Sequence, residues 1–262
     1  MKFSRILLWI FTVVVAVWMV APSLVVIPLS FTSQKSLAFP PVGFSGQWYE
    51  NFFTDPAWLG GLANSLQLGL MVAVVATILG TVAAYGLMKM SGFAKAASNN
   101  FLLLPMLVPG VIFAIGVYAL FLRLGLVGTW PGFLLAHTVL AIPFVVISVS
   151  SVLASYDVQL ERAAWISGAG KVKAFLTVTL PMIRPGVLAG FLFAFITSFD
   201  EVIVSLFISN AYLQTLPVRM FSSLQREIDP TIAAAATIIM LITTSVALFA
   251  MIARAKRSTS HD

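Results

Sequence analysis

Two adjacent carboxylic acids, Asp200 and Glu201, interrupt an otherwise apolar stretch of about twenty residues. A charged side chain at the centre of a membrane costs about 2.5–3.5 kcal/mol on insertion scales, so it needs a compensating role. These acids either face an aqueous pathway for a cation or proton, or make structural hydrogen bonds. On a continuous helix Glu201 shares an arc of about 100° with neighbouring hydroxyl side chains, and Asp200 lies outside one edge of that arc. The two acids would then point in different directions, one toward a pathway and the other toward a neighbouring helix or chain.

Aromatic residues accompany both these acids and the longest predicted outer loop, residues 30–64. Phe199 precedes Asp200, and an aromatic ring can contact a cation or a methylene stem. In the loop, Trp48 and Tyr49 stand next to Glu50. This pair is typical of the aromatic belt at a membrane interface. The other interpretation is a gate or docking surface, in which Trp48 and Tyr49 contribute to a substrate pathway.

Residues 155–185 contain most of the charge in the middle of the chain. Residues 158–166 are compatible with a short helix that has Glu161 in its first turn, and Gly168 would end that helix in a tight turn. A short helix with small residues and an abrupt stop can fit a cleft in a partner protein. The alternative is an amphipathic helix that lies on the inner leaflet.

The same segment contains an incomplete phosphate-binding motif at Gly170-Lys171. A phosphate loop requires glycine where Trp165 stands, and serine or threonine where Val172 stands. We therefore expect no ATP site and no cofactor in this chain, and the energy for any pumping must come from a partner.

Single features within the apolar stretches allow two interpretations each. A lone histidine in an apolar stretch, such as His137, is more typical of a hydrogen bond between helices than of a proton relay. Pro109-Gly110 would bend a helix, either in a gate or as a structural kink. Three glycines, Gly69, Gly80 and Gly86, are of the type that permits close helix packing in membranes.

The composition determines what kind of protein must position these residues. The chain has 262 residues, of which 60% are hydrophobic and 9% charged, against about 25% charged in soluble domains. Its mean hydropathy is +1.02. These values exclude a soluble enzyme and a nucleic-acid-binding module. With no cysteine there is no disulfide or thiolate metal site, and no zinc-ligand cluster or Ser/His/Asp grouping stands out.

Six stretches are long and apolar enough to cross a membrane, which takes about 20 residues in a helix. They lack the alternation of a barrel strand, so the predicted fold is all-α, a polytopic membrane protein with a single transmembrane domain over residues 1–262. The predicted spans are residues 6–29, 65–88, 101–122, 132–154, 186–209 and 231–253.

The basic residues predict the orientation of these spans. With the N-terminus inside, eleven of the 15 Lys and Arg residues fall on the inner side. Basic residues favour the cytoplasmic side of a membrane, so both termini are predicted to be cytoplasmic.

The segment 155–185 resembles the loop signature of inner-membrane permeases from bacterial, binding-protein-dependent ABC importers. That signature reads Glu-Ala-Ala, three residues, Gly, nine residues, Ile-x-Leu-Pro. Arg162 stands at its glutamate, one residue after Glu161, and Val178 replaces its isoleucine. The matching residues are Ala163, Ala164, Gly168, Leu180 and Pro181.

This resemblance implies the type I importer permease fold in a bacterial inner membrane. It makes the loop a coupling helix that docks on a cytoplasmic ATPase, with Glu161 and the matching residues as its contacts. It also implies a second homologous permease, two ATPase subunits that bind ATP and Mg²⁺, and an external substrate-binding protein. The chain itself would be a non-catalytic transport subunit.

Three further segments resemble the spermidine/putrescine branch of that family: Ser198-Phe-Asp-Glu-Val, Leu216-Pro217 and Asp229-Pro-Thr-Ile232. The resemblance implicates Asp200 in handling a cationic substrate. Other substrates stay open, among them an amino acid-like molecule, an aminophosphonate or an opine. A different class also stays open, a self-contained ion-coupled carrier that uses Asp200 and Glu201 as proton sites.

Overall fold

The computed structural model describes the backbone of residues 2–226 and 228–258 and the side chains of residues 5–225 and 228–245. These parts of the chain contain helices and no β-strand. The helices are α1 (Lys2–Leu29), α2 (Gln47–Thr54), α3 (Pro56–Lys89), α4 (Gly92–Leu107), α5 (Gly110–Leu124), α6 (Trp130–Leu153), α7 (Val158–Ile166), α8 (Lys171–Ala174), a π-helical segment (Phe175–Thr179), α9 (Leu180–Phe199), α10 (Ile203–Ile208), α11 (Leu216–Arg226) and α12 (Thr231–Ser258).

Four of the described helices are long and apolar enough to cross a membrane: Arg5–Leu29, Pro56–Lys89, Trp130–Leu153 and Lys171–Phe199. The pair α4 and α5 passes the same test as one span but bends by 97°. The sixth predicted span falls on α12, whose apolar part with described side chains is Thr231–Ser245. Side chains 246–253 of that predicted span lie outside the described residues, and the count of six spans stays a prediction.

The helices differ at both ends from the predicted fifth span, residues 186–209. The helix that contains its start begins earlier, because residues 171–199 are continuously helical through the π segment, so residues 171–185 of the predicted loop 155–185 are helical. This helix also ends before the predicted end of the span, since α9 stops at Phe199 and α10 starts at Ile203. The arc drawn for a continuous helix through Asp200 does not apply.

The helices divide into two compact units, Met1–Leu59 with Met220–Asp262, and Gly60–Arg219. In the first unit α12 packs against α1 and α2. The second unit is built around α6, which packs against α4, α9 and α10.

Small residues bring the helices of the second unit close to α6. Val145 of α6 is buried between two glycines. A Cβ atom on Gly80 would lie 2.7 Å from Val145 Cβ, and one on Gly190 would lie 3.1 Å from Val145 Cα. Membrane helices associate through such close packing because lipid removes the hydrophobic drive between them. This packing fixes α3 and α9, which carry the candidate site residues, against α6.

Candidate functional site

The first candidate site is a break in the polypeptide between α9 and α10. Helix α9 ends where the Asp200 amide donates to the Ile196 carbonyl oxygen, at 2.9 Å. Residues 200–202 then connect to α10. A helix leaves its last carbonyl groups without helical partners, and they give its C-terminus a partial negative charge. The break therefore places such a terminus beside the Asp200 carboxylate.

Glu201 has a structural role in this break. Its Oε1 accepts from the Val204 amide at 2.9 Å, and its Oε2 accepts from the Ser205 amide at 2.9 Å. These amides open α10 and have no partner within the helix, so an acid there satisfies the donors and the helix dipole together. The side chain is 12% exposed.

His137 on α6 forms hydrogen bonds to the two helices on either side of the break. The imidazole is fully buried on α6. Its Nδ1 lies 2.9 Å from Ser198 Oγ on α9, and its Nε2 lies 3.0 Å from Ser205 Oγ on α10. The Nε2 atom is also 3.9 Å from Glu201 Oε2. The predicted hydrogen bond between helices is confirmed, and it explains why the hydroxyl residues flanking the acids are buried.

Asp200 differs from its neighbour because its side chain is exposed. Within the side chains that the structure describes, its carboxylate has no hydrogen-bond or ion-pair partner. Phe199 is partly buried and stacks on Phe195, with the ring centroids 5.7 Å apart. Of the two acids, Asp200 is thus the one available to a ligand.

The second candidate site is α7 and the turn that follows it. The Asp157 carboxylate accepts from the Gln159 amide at 2.9 Å and caps the helix. Gly168 then adopts a φ of 88°, where a side chain would be strained. The Gly168 amide donates to Trp165 and the Ala169 amide to Ala164, which closes the helix. The predicted short helix with a glycine stop is confirmed.

The matching residues of the loop signature are accessible to different degrees. Ala163 and Gly168 are exposed, whereas Ala164, Leu180 and Pro181 are partly buried. Large apolar side chains around them are also exposed, among them Ile166 at 88%. The ends of the loop are joined by Tyr156 and Thr179, whose hydroxyl oxygens are 3.0 Å apart and buried.

Glu161 is buried on the opposite face of α7, at 0% exposure. Its Oε1 accepts from the Tyr85 hydroxyl and, at 2.9 Å, from Lys89 Nζ. The ammonium group also lies 4.1 Å from the centre of the Tyr85 ring and 5.2 Å from that of Trp165. We refer to Tyr85, Lys89, Glu161 and Trp165 as the Lys89 cluster.

Tyr85 and Lys89 are not among the site residues that the sequence predicts. Their four-residue separation places both on one face of α3, a signal that the sequence contains. What the sequence does not contain is their partner, since Glu161 follows Lys89 by 72 residues.

Trp48 and Tyr49 of α2 pack against the preceding segment of the first unit. Trp48 Nε1 donates to the Thr32 carbonyl oxygen at 2.6 Å, and the Tyr49 hydroxyl is 2.6 Å from Ser30 Oγ. Both side chains are partly buried. Their polar atoms are thus engaged within the loop, and a role in the pathway stays a prediction.

The fold matches that of a solved membrane transporter. A chain in the crystal structure of a bacterial ABC transporter involved in the import of the acidic polysaccharide alginate superposes with a TM-score of 0.73. The match covers 97% of this chain and 96% of that one, at 16% sequence identity. The two chains therefore share one fold.

Sequence comparison identifies the family. Residues 76–258 match the binding-protein-dependent transport system inner membrane component family. The putrescine transport system permease protein PotI of Escherichia coli K12 is 34% identical, over 92% of this chain and 89% of that protein. The spermidine/putrescine transport system permease protein PotC of Haemophilus influenzae is 30% identical, over 96% of both. This chain belongs to that permease family.

Membership answers several questions left by the sequence. Permeases of this family are non-catalytic components of inner-membrane importers, so the chain is a transport subunit and not an enzyme. An importer of this kind also includes an ATPase and a substrate-binding protein.

Proposed function

We propose that this chain forms half of the transmembrane pathway of an ATP-driven polyamine importer, and that Asp200 contacts the cationic substrate. The observation that carries the proposal is the exposed carboxylate of Asp200 at the break between α9 and α10. The two relatives are named as permeases for putrescine and for spermidine/putrescine, which supports a polyamine as the substrate.

The electrostatics of the break favour a cation. The C-terminus of α9 and the Asp200 carboxylate both contribute negative charge at one point. The partial positive charge at the N-terminus of α10 is neutralised by Glu201, so it does not offset this negative charge. Broken helices with their C-terminal ends at an ion or substrate are a recurring arrangement in transporters. A phosphate or sulfate ion would be repelled at this point.

The transport cycle in this proposal uses alternating access. A loaded binding protein docks on the outer side, ATP binding closes two ATPase subunits on the inner side, and the permease pair shifts to its outward-open state. ATP and Mg²⁺ bind to the ATPases, so this chain needs no cofactor. The second permease is a homologue, and both termini of this chain face the cytoplasm.

The exposed face of α7 is the proposed ATPase contact. Leu160 and Ile166 are exposed there together with Ala163. Exposed apolar side chains outside the membrane are typical of a protein interface. The glycine stop at Gly168 keeps the helix short enough to enter a cleft.

The test is uptake of labelled putrescine by proteoliposomes that contain this chain, the second permease, the ATPase and the binding protein. Asp200→Asn removes a charge-assisted contact worth about 1.5–3 kcal/mol, so uptake should fall about tenfold or more. Asp200→Glu keeps the charge and should retain most of the uptake. Asp157→Asn is the matched control, because it removes a carboxylate from the inner loop while asparagine still caps α7.

Equal uptake by wild type and Asp200→Asn would remove Asp200 from the pathway. If the wild-type complex takes up another solute and no putrescine, the proposed substrate class is wrong. Uptake by this chain alone without ATP would favour the ion-coupled carrier.

A further inference from the structure

We propose that the Lys89 cluster makes α7 and α3 move as one body, so that ATPase motion at α7 is delivered directly to α3. Glu161 and Lys89 are then positioning residues of the transport cycle. The proposal rests on the function proposed above only in that an ATPase moves α7.

The cluster is specific to one face of α7. Glu161 and Trp165 are four residues apart and therefore lie on the same side of the helix. Both contact Lys89, the acid through an ion pair of 2.9 Å and the indole through its ring. The exposed residues Leu160 and Ile166 lie outside this contact. Helix α7 thus has one face fixed to α3 and another available to a partner.

The attachment is stiff because the Glu161 carboxylate is shielded from solvent. Glu161 is completely buried, and a buried carboxylate is stable only beside a cation or several donors. Pulling α7 away from α3 would leave that carboxylate without Lys89 and Tyr85. The Tyr85 ring also packs edge-on against Phe175, 4.8 Å between centroids, so the segment after α7 is held at the same point.

The polypeptide offers a second connection from α7 to the membrane, and that connection is less regular. It passes through the turn at Gly168, the short helix α8 and the π-helical segment Phe175–Thr179 before it reaches α9. In contrast, α3 is an unbroken helix of 34 residues, about 51 Å long. Motion received at Lys89 reaches the contact of Gly80 with Val145 through regular helix.

The test variant is Glu161→Gln, which keeps the shape of the side chain and removes its charge. In the full complex the ATPase should still copurify and hydrolyse ATP, while the putrescine moved per ATP falls about fivefold or more. The double variant Lys89→Glu with Glu161→Lys should move more putrescine per ATP than Glu161→Gln does. Lys95→Gln, which removes an exposed charge of α4 outside the Lys89 cluster, should keep the wild-type ratio.

A distance measurement tests the same idea without any substrate. The chain has no cysteine, so spin labels attach to it only where cysteine is introduced. With labels at Val82 on α3 and Gln159 on α7, the distance should be the same with and without ATP in the otherwise wild-type complex. In Glu161→Gln it should change or broaden when ATP binds.

Three results would overturn the proposal: an unchanged ratio in Glu161→Gln, loss of the ATPase from that complex, or a label distance that changes with ATP in the unmodified cluster. If the wild-type complex does not move putrescine, the proposed substrate fails, and the label distance still decides the role of the cluster.

Discussion

The Lys89 cluster and the break at residues 200–202 differ in what binds their acidic side chains. Glu161 is neutralised by side chains of another helix, Lys89 and Tyr85 on α3. Glu201 is held by two backbone amides three and four residues further along its own chain. Asp200, next to it, has no partner among the side chains that the structure describes.

The range of each contact determines what it can do. The two bonds from Glu201 to the next turn shape the local chain, so Glu201 defines where α10 begins. A bond that spans 72 residues joins two elements that are otherwise connected through a long stretch of chain. An acid without either kind of bond contributes little to the fold and keeps its charge available to a ligand.

The largest expected effect on stability comes from Lys89→Met. It leaves Glu161 buried without a cation, and breaking a buried ion pair costs about 3–5 kcal/mol. Thermal unfolding of the purified protein in detergent should show this as a clear drop in the melting temperature. The drop should exceed that of Glu161→Gln, because the Lys89 side chain is 39% exposed and can reach solvent alone.

Lys95→Met is the control for that comparison. Lys95 is an exposed residue of α4, outside the Lys89 cluster, and its replacement should change stability by no more than about 0.5 kcal/mol. Equal melting temperatures for the two lysine variants would mean that Glu161 does not depend on Lys89.

A smaller effect is expected from His137→Ala at the break. The variant removes the partner of Ser198 and Ser205, two buried hydroxyls, and we expect a loss of about 2–3 kcal/mol. His137→Gln should recover part of it through its amide. Thr138→Val is the matched control, because the buried Thr138 hydroxyl has no hydrogen-bond partner in the described part of the chain. If both replacements lower the melting temperature equally, the imidazole bonds do not stabilise the break.

Local features were predictable from the sequence, and partners across the fold were not. The stop at Gly168 follows from a short helix ended by glycine, and a lone histidine in an apolar helix favoured a hydrogen bond. Of the three glycines predicted to pack closely, Gly69 and Gly80 lie against α9 and α6, whereas a Cβ on Gly86 would meet open space. Whether a small residue faces a neighbour depends on how the helices are arranged, which residue type alone does not specify.

The break after Phe199 shows why the end of the fifth span was misplaced. Hydropathy stays high on both sides of Asp200, so a pattern of apolar residues continues where the helix does not. The interruption depends on Glu201 bonding forward to the amides of α10 and on His137 holding hydroxyls from both helices. Asp200 was selected from a resemblance, and the geometry supplies the independent reason that its neighbour is already engaged.

The smallest effect on stability is expected from Asp200→Ala. The adjacent Glu201→Ala is the matched variant. Removing Glu201 takes away the cap of α10 and should cost about 1 kcal/mol, whereas removing Asp200 should cost no more than about 0.5 kcal/mol. Uptake should rank the other way at saturating ATP, with Asp200→Ala lowering the apparent affinity for putrescine more than Glu201→Ala. Stability and uptake, measured on these two alanine variants, distinguish a carboxylate that stabilises the fold from one that contacts the substrate. If Asp200→Ala were the more destabilising variant, Asp200 would be part of the framework, and the substrate contact would have to be sought elsewhere.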